Sequence, residues 1–280
     1  MPDSLGARFS GGAMPDAYTI VTELPDADVD RLAAAMELRA ADPAQLGFVH
    51  DYVDRLGLRP GSRVVEIGCG TGAIARCIAA RPEIAAVVGI DPSPVLIRRA
   101  HELSAAIEDV SFRVGDGAQL PFEDAEFDGV VIHTVLSHAP RPEALLREAH
   151  RVLRPDGALG VFDGDYSTIT FAIGPRDPLE ECAQAFAAAY VNDAHVMRRA
   201  GAMTARCGFA DVDVRSHGYT QTADATYMHS VLGRGADALA AAGVITAALA
   251  EAMKEEGRER DRAGRFFGQI SYVSVTARKA

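Results

Sequence analysis

The stretch Val64-Val65-Glu66-Ile67-Gly68-Cys69-Gly70-Thr71-Gly72 decides how the rest of the chain is read. An apolar run ends at an acid, and three glycines follow at alternate positions. Ala73-Ile74-Ala75-Arg76 behind them reads as the start of a helix. A strand that stops at a glycine loop and feeds a helix gathers backbone N–H groups and a helix N-terminus at one point. Glycine there lets a ligand approach the backbone, where a Cβ would stand in its way.

Outward from this loop, further apolar runs end in acids. Ala86-Val87-Val88-Gly89-Ile90 ends at Asp91, and Val110-Ser111-Phe112-Arg113-Val114-Gly115 ends at Asp116, followed by Gly117-Ala118. Ala118-Gln119-Leu120-Pro121-Phe122 leads to a fourth run, Phe127-Asp128-Gly129-Val130-Val131-Ile132-His133. After a helical stretch, Pro155-Asp156-Gly157 breaks the helix and turns the chain into a fifth run. Taken alone, Gly68-x-Gly70-x-x-Ala73 also fits the dinucleotide fingerprint, with Asp91 about 20 residues further on. Both readings give Asp91 one task, which is to accept hydrogen bonds from two ribose hydroxyls. Glu66 before the first glycine, Gly72 as a closely spaced third one, and Asp116 separate them.

With these motifs in order, residues 60–163 resemble the class I S-adenosylmethionine-dependent methyltransferases. The resemblance implies that the loop residues Gly68, Cys69, Gly70, Thr71 and Gly72 bind the methionine part of S-adenosylmethionine. It implies that Asp91, with Pro92 beside it, binds the ribose, and that Asp116, Gly117 and Ala118 bind the adenine. Glu66 orders the loop or reaches the amino end of the cofactor. His133 follows the fourth strand, where the family places a residue at the methyl and cofactor. The implied activity is methyl transfer to an O, N or C atom of a small, partly apolar metabolite of secondary-metabolite or quinone-like type. Two alternatives stay open: a cyclase that keeps the cofactor, and an NAD-dependent oxidoreductase.

Bulk properties narrow the setting. The chain has 280 residues, a formal net charge of −11 and a pI near 5.2. An acidic balance disfavours nucleic acid as partner, since phosphate neutralisation needs a basic surface. No apolar run reaches the roughly 18 residues of a membrane span. The first residues lack the layout of a signal peptide, so the expectation is a cytoplasmic protein without a membrane partner. Cys69, Cys77, Cys182 and Cys207 lack zinc spacing, no His/Asp/Glu grouping has ligand spacing, and no metal is expected. Lys254 and Lys279 are the only lysines. With the abundant alanine, this points to a GC-rich bacterial genome.

The expected fold is α/β: a Rossmann-like, doubly wound, mostly parallel seven-stranded sheet with helices on both faces and a helical cap. Strands are expected at 63–67, 86–90, 110–114, 127–132, 158–163, 210–215 and 269–276. The organisation is an N-terminal tail and cap helices over 1–57, a cofactor-binding core over 58–164 and a helical cap insertion over 165–207. The end of the sheet follows over 208–280, interrupted by a helical insertion at 217–267. Residues 1–25 have no periodicity and read as loose, or as packing on another subunit in a homodimer. Apolar cap residues Phe171, Phe186, Tyr190, Met197, Met203 and Tyr227 would suit the acceptor.

An acceptor hydroxyl or ammonium must lose its proton, so bases near the strand ends are candidates. These are His133, His138, Asp163, Asp165 and Tyr166. For the histidines the competing role is capping or cofactor packing, and for the carboxylates it is bonding to local backbone. His195 and Arg198 face the substrate or form a solvated helix face.

Overall fold

The first strand, β1 (Ser62–Ile67), alternates its side chains between two apolar layers. Val64 enters a layer with Tyr52, Ile78, Ile97 and Phe162, whereas Val65 and Ile67 enter one with Leu146, Ala149, Met203 and Val275. The computed structural model describes Asp16 and residues 21–280. The reading of the tail as loose, or as packed on a second subunit, lies largely outside the described residues.

Four more strands run parallel to the first: β2 (Ile84–Asp91), β3 (Val110–Val114), β4 (Phe127–His133) and β5 (Leu153–Thr170). β6 (Phe209–Gln221) and β7 (Gly268–Lys279) close the sheet, with β7 antiparallel to both β5 and β6. The order is β3-β2-β1-β4-β5-β7-β6, a seven-stranded, mostly parallel sheet as the alternation of runs required. The chain runs outward from β1 through β2 to β3, then crosses back to place β4 on the other side of β1. A crevice opens at such a reversal, beyond the carboxyl ends of the strands.

Helices cover both faces. α1 (Asp26–Ala40) and α2 (Pro43–Arg55) precede the sheet, while α3 (Ala73–Ala79) and α4 (Pro94–Leu103) connect its first strands. The Asp42 side chain caps α2, accepting from the N–H of Ala44 at 2.9 Å and of Gln45 at 3.1 Å, with Pro43 preset for the first turn. α5 (Pro142–Val152) and α7 (Met197–Arg206) lie in the second layer. α6 (Glu180–Tyr190), α8 (Thr226–Ala241) and α9 (Ala247–Arg262) pack on one another and join the first. Among the described residues, no helix is long and apolar enough to cross a membrane.

Several boundaries differ from the sequence reading. β5 continues past 163 to Thr170, and β6 runs to Gln221 rather than stopping near 215. Ser216-His217-Gly218-Tyr219-Thr220 holds no apolar run, so its strand state comes from pairing with β7, as in Tyr219↔Ile270. The helical part of the second insertion therefore begins at Thr226. Pro155-Asp156-Gly157 turns the chain within β5. The pair Phe127↔Leu153 is followed by Gly129↔Ala158, and Asp156 takes φ +62°. Met197 and Met203 pack under the sheet with α5 rather than in a cap, because α7 presents them to the second layer.

Gly235 marks the closest approach of α8 to α6, where a Cβ would lie 1.9 Å from the Cys182 carbonyl oxygen. Overpacking of this kind costs about 1–3 kcal/mol. Gly235→Ala is expected to lower the midpoint of chemical denaturation by a corresponding amount. An unchanged midpoint would contradict this helix crossing.

Candidate active site

Because of the strand order, the carboxyl edge of the sheet presents Asp116, Asp91, Glu66, His133 and Asp163 in that sequence. Neighbouring strands lie about 4.8 Å apart, so the three steps from Asp116 to His133 span about 14 Å. The glycine loop sits inside this row. The N–H groups of Gly68 and Cys69 both donate to the Ile90 carbonyl, at 2.7 and 3.0 Å. Gly68 and Gly72 have φ of +73° and +75°, which disfavours any side chain. A Cβ on Gly68 would also come within 2.4 Å of Val135, and one on Gly72 within 2.4 Å of Phe112. Packing by the protein's own side chains therefore demands these glycines, in addition to any ligand.

Asp91 fastens the loop. Its Oδ2 accepts from the Gly70 N–H and its Oδ1 from the Ser93 N–H, both at 2.9 Å. A carboxylate has about four acceptor positions, so two remain for a ligand's hydroxyls. Burial pushes the Asp91 carboxyl up to about 6, against the lowering effect of the two N–H groups. Pro92 is exposed beside it, and Ser93 caps α4. Asp116 is exposed and accepts from the Ala118 N–H at 2.8 Å through one oxygen. A Cβ on Gly117 would strike Ile67 at 2.5 Å.

Glu66 lies in the wall of a cleft with Gly68, Cys69, Gly70 and Thr71, enclosing about 480 Å3 including its open mouth. The residue is 1% exposed, and its Oε2 has no hydrogen-bond partner. Burial pushes its carboxyl well above the usual range. The Ala75 backbone opposes this, the Asp91 charge adds to it, and Arg76 and Arg39 oppose it. A cationic group entering the cleft would give the orphaned oxygen a donor. Cys69 also lines the cleft, but burial holds its thiol well above the usual range, so it stays protonated.

The other wall comes from residues the sequence reading did not assign to the site. Met36 and Arg39 of α1 face the cleft, and a Cβ on Gly70 would meet Met36 Sδ at 2.7 Å. Glu37 accepts from Thr71 Oγ1 at 2.5 Å and from Arg76 at 2.8 Å. Arg39 donates to Thr134 Oγ1 at 2.6 Å. Leu32, Met36 and Arg39 follow one another at helical spacing, so a charge ending an apolar stripe was the available signal.

His133 lines the same cleft, 5% exposed. Its ring stacks on Phe162 with centroids 4.8 Å apart, and its Nδ1 lies 3.2 Å from the Tyr52 hydroxyl. Burial lowers its pKa well below the ordinary value, and the Arg39 charge adds to this. It is a neutral, oriented imidazole and a weak base.

His138 lines both this cleft and a second, adjoining pocket. Its Nδ1 is 2.7 Å from Asp16 Oδ2. The second pocket shares Met36, Arg39 and His138 with the first and adds Tyr166, Phe186, Tyr190, Tyr227 and Arg234. Asp163 and Asp165 line neither pocket. Asp163 is fully buried and accepts from the Ser137 N–H, the Ser137 hydroxyl and the Gly164 N–H. Asp165 is held by Arg198 at 2.7 Å and by Ser167. Both carboxylates thus take the local bonding role in this structure. His195 and Arg198 are exposed, and Phe171 packs in the core against Phe266.

Comparison with known proteins places this geometry. A family model described as a methyltransferase domain matches residues 65–161. The chain is 30% identical over 173 residues to a ubiquinone biosynthesis O-methyltransferase of Xanthomonas campestris, covering 61% of this chain and 69% of that protein. It is 34% identical over 117 residues to the sterol 24-C-methyltransferase of Yarrowia lipolytica, covering 41% of this chain and 30% of that protein. The chain spans 30 to 45% of the length of several curated relatives that it matches. Among solved structures, that of the [4+2]-cyclase SpnF shares the fold at a TM-score of 0.58 and 20% identity. That match covers 96% of this chain and 97% of the other.

The buried carboxylate of Glu66 has a consequence for stability. Its folded pKa is raised, so the unfolded state ionises first as pH rises, and stability falls above the ordinary carboxylate range. Glu66→Gln removes that loss. We expect the variant to melt at a higher temperature than the parent at pH 7.5, with the gap closing toward pH 4. A gap that does not change with pH would contradict the assignment.

Proposed function

The chain belongs to the S-adenosylmethionine-dependent methyltransferase family, and on that premise we propose that it methylates an O, N or C atom of a small, partly apolar metabolite. The cofactor supplies, when bound, an electrophilic methyl group on a sulfonium centre. The dinucleotide reading of Gly68 to Ala73 gives way to this one, because the family match covers the loop.

One observation carries the proposal: the loop-side cleft and an aromatic pocket adjoin and share Met36, Arg39 and His138. In this reading the glycine loop and Glu66 hold the amino-acid end of the cofactor. Asp91 takes its ribose hydroxyls, and Asp116 with Gly117 and Ala118 takes its adenine. His133, neutral and stacked, fixes the wall near the methyl. The acceptor enters beside Tyr166 and Tyr227, and its reacting atom must come within about 3–3.5 Å of the methyl. His138, at the junction of the two pockets and paired with Asp16, receives the proton of a hydroxyl or ammonium acceptor. Relatives named for ubiquinone biosynthesis and sterol methylation support an acceptor of quinone or secondary-metabolite type. The four cysteines are free thiols, which suits a reducing cytoplasm.

The test is turnover with methyl-labelled S-adenosylmethionine and a panel of phenols, quinols and amines. Label in the acceptor supports methyl transfer. An isomerised product without label, and with the cofactor unconsumed, would mark a cyclase instead. Asp91→Ala is expected to weaken cofactor binding more than tenfold, since a charge-assisted hydrogen bond contributes about 1.5–3 kcal/mol. Equal affinity by calorimetry would remove Asp91 from the ribose site. His138→Asn is expected to lower turnover of a hydroxyl acceptor by about 10²–10⁴ with cofactor affinity retained. Unaltered turnover would exclude it as the base.

A further inference from the structure

We propose that the methyl acceptor is an anion: a compact aromatic or conjugated molecule whose carboxylate or phosphate is received by Arg234. The inference rests on the methyl-transfer reading of the site and names the chemical class of its substrate.

The guanidinium of Arg234 lies over the rings of Phe186, at 4.6 Å, and Tyr190, at 5.5 Å, in the wall of the pocket beside the cofactor cleft. Stacking on aromatic faces holds the flat group in one orientation and leaves its edge for a ligand. The hydrogen bond it makes within the chain runs from Nε to the Ser230 carbonyl at 3.3 Å, and no carboxylate among the described residues pairs with it. Several other cations of this half of the molecule are matched. Arg198 pairs with Asp165, Arg260 with Asp177 and Lys254 with Asp237.

Charge around the pocket agrees. Among the described residues its lining includes Arg39 and Arg234 and no acid. The chain as a whole carries −11, so the cationic lining is a local feature. A planar guanidinium pairs with a carboxylate or phosphate through two parallel N–H donors. The remaining walls, chiefly Tyr166, Phe186 and Tyr227, are buried aromatic faces that suit a flat body. Counted with its open mouth, the pocket holds about 340 Å3 of space.

The experiment is calorimetry on the full chain saturated with S-adenosylhomocysteine, using 3,4-dihydroxybenzoate, 3,4-dihydroxybenzamide and phenyl phosphate as probes. We expect at least one anion to bind tenfold or more tighter than the amide. The tighter of the two anions identifies the head group. Arg234→Gln is expected to abolish that preference without changing S-adenosylhomocysteine affinity, and Arg234→Lys to keep part of it. Equal binding of anions and amide, binding of none of the three, or a preference that survives in Arg234→Gln would overturn the inference alone. Failure of S-adenosylhomocysteine to bind at all would overturn the methyl-transfer reading and this inference with it.

Discussion

Two backbone N–H groups, from Gly70 and Ser93, converge on the buried carboxylate of Asp91, and the site depends on that convergence. One bond fixes the loop after β1 and the other fixes the turn into α4. The carboxylate is taken out of water to do this, at a cost visible in its raised pKa. Glu66 sits in the same dry corner with one oxygen unpaired. A pair of desolvated acids at a loop edge is poorly balanced without a ligand. Hydroxyls for one acid and an ammonium for the other would balance it.

The opposite side of the crevice comes from the N-terminal helix and the inserted helices. α1 is tied to the crevice through Glu37 to Thr71 and Arg76 and through Arg39 to Thr134. It also touches α8, so one helix joins the wall of the cofactor cleft to the wall of the aromatic pocket. Glu37 and Arg39 are spaced so that one holds the glycine loop while the other reaches the turn after β4. Cofactor and acceptor pockets are therefore built on a common element.

Much of this was legible in the chain. Apolar runs that end in Asp91 and His133 mark strand ends, because a strand buried on both faces tolerates a polar residue only where it emerges. The glycine loop announced the place where a ligand meets the backbone. What failed was tertiary in origin. The polar half of β6 becomes strand only because β7 is there to pair with it. Met197 and Met203 have helical spacing that is the same for a cap and for a helix under the sheet. Asp163 looks like a pocket acid in sequence, yet Ser137, 26 positions away, consumes its oxygens. Arg39 and Thr134 are 95 positions apart, and no local pattern connects them. Arg234 stands in an alanine- and glycine-rich helix, where only the packing of α6 against α8 gives it an aromatic bed.

The most direct measurement is a calorimetric titration of the full chain with S-adenosylmethionine, and with NADH as control, at pH 7.5 and again near pH 5. Hydroxyl donors favour the ionised carboxylate of Asp91, which takes a proton near pH 6 in the free protein. The account predicts binding of S-adenosylmethionine but not NADH, with weaker affinity and greater proton release at the lower pH. Binding of NADH, or no binding of S-adenosylmethionine at either pH, would contradict it.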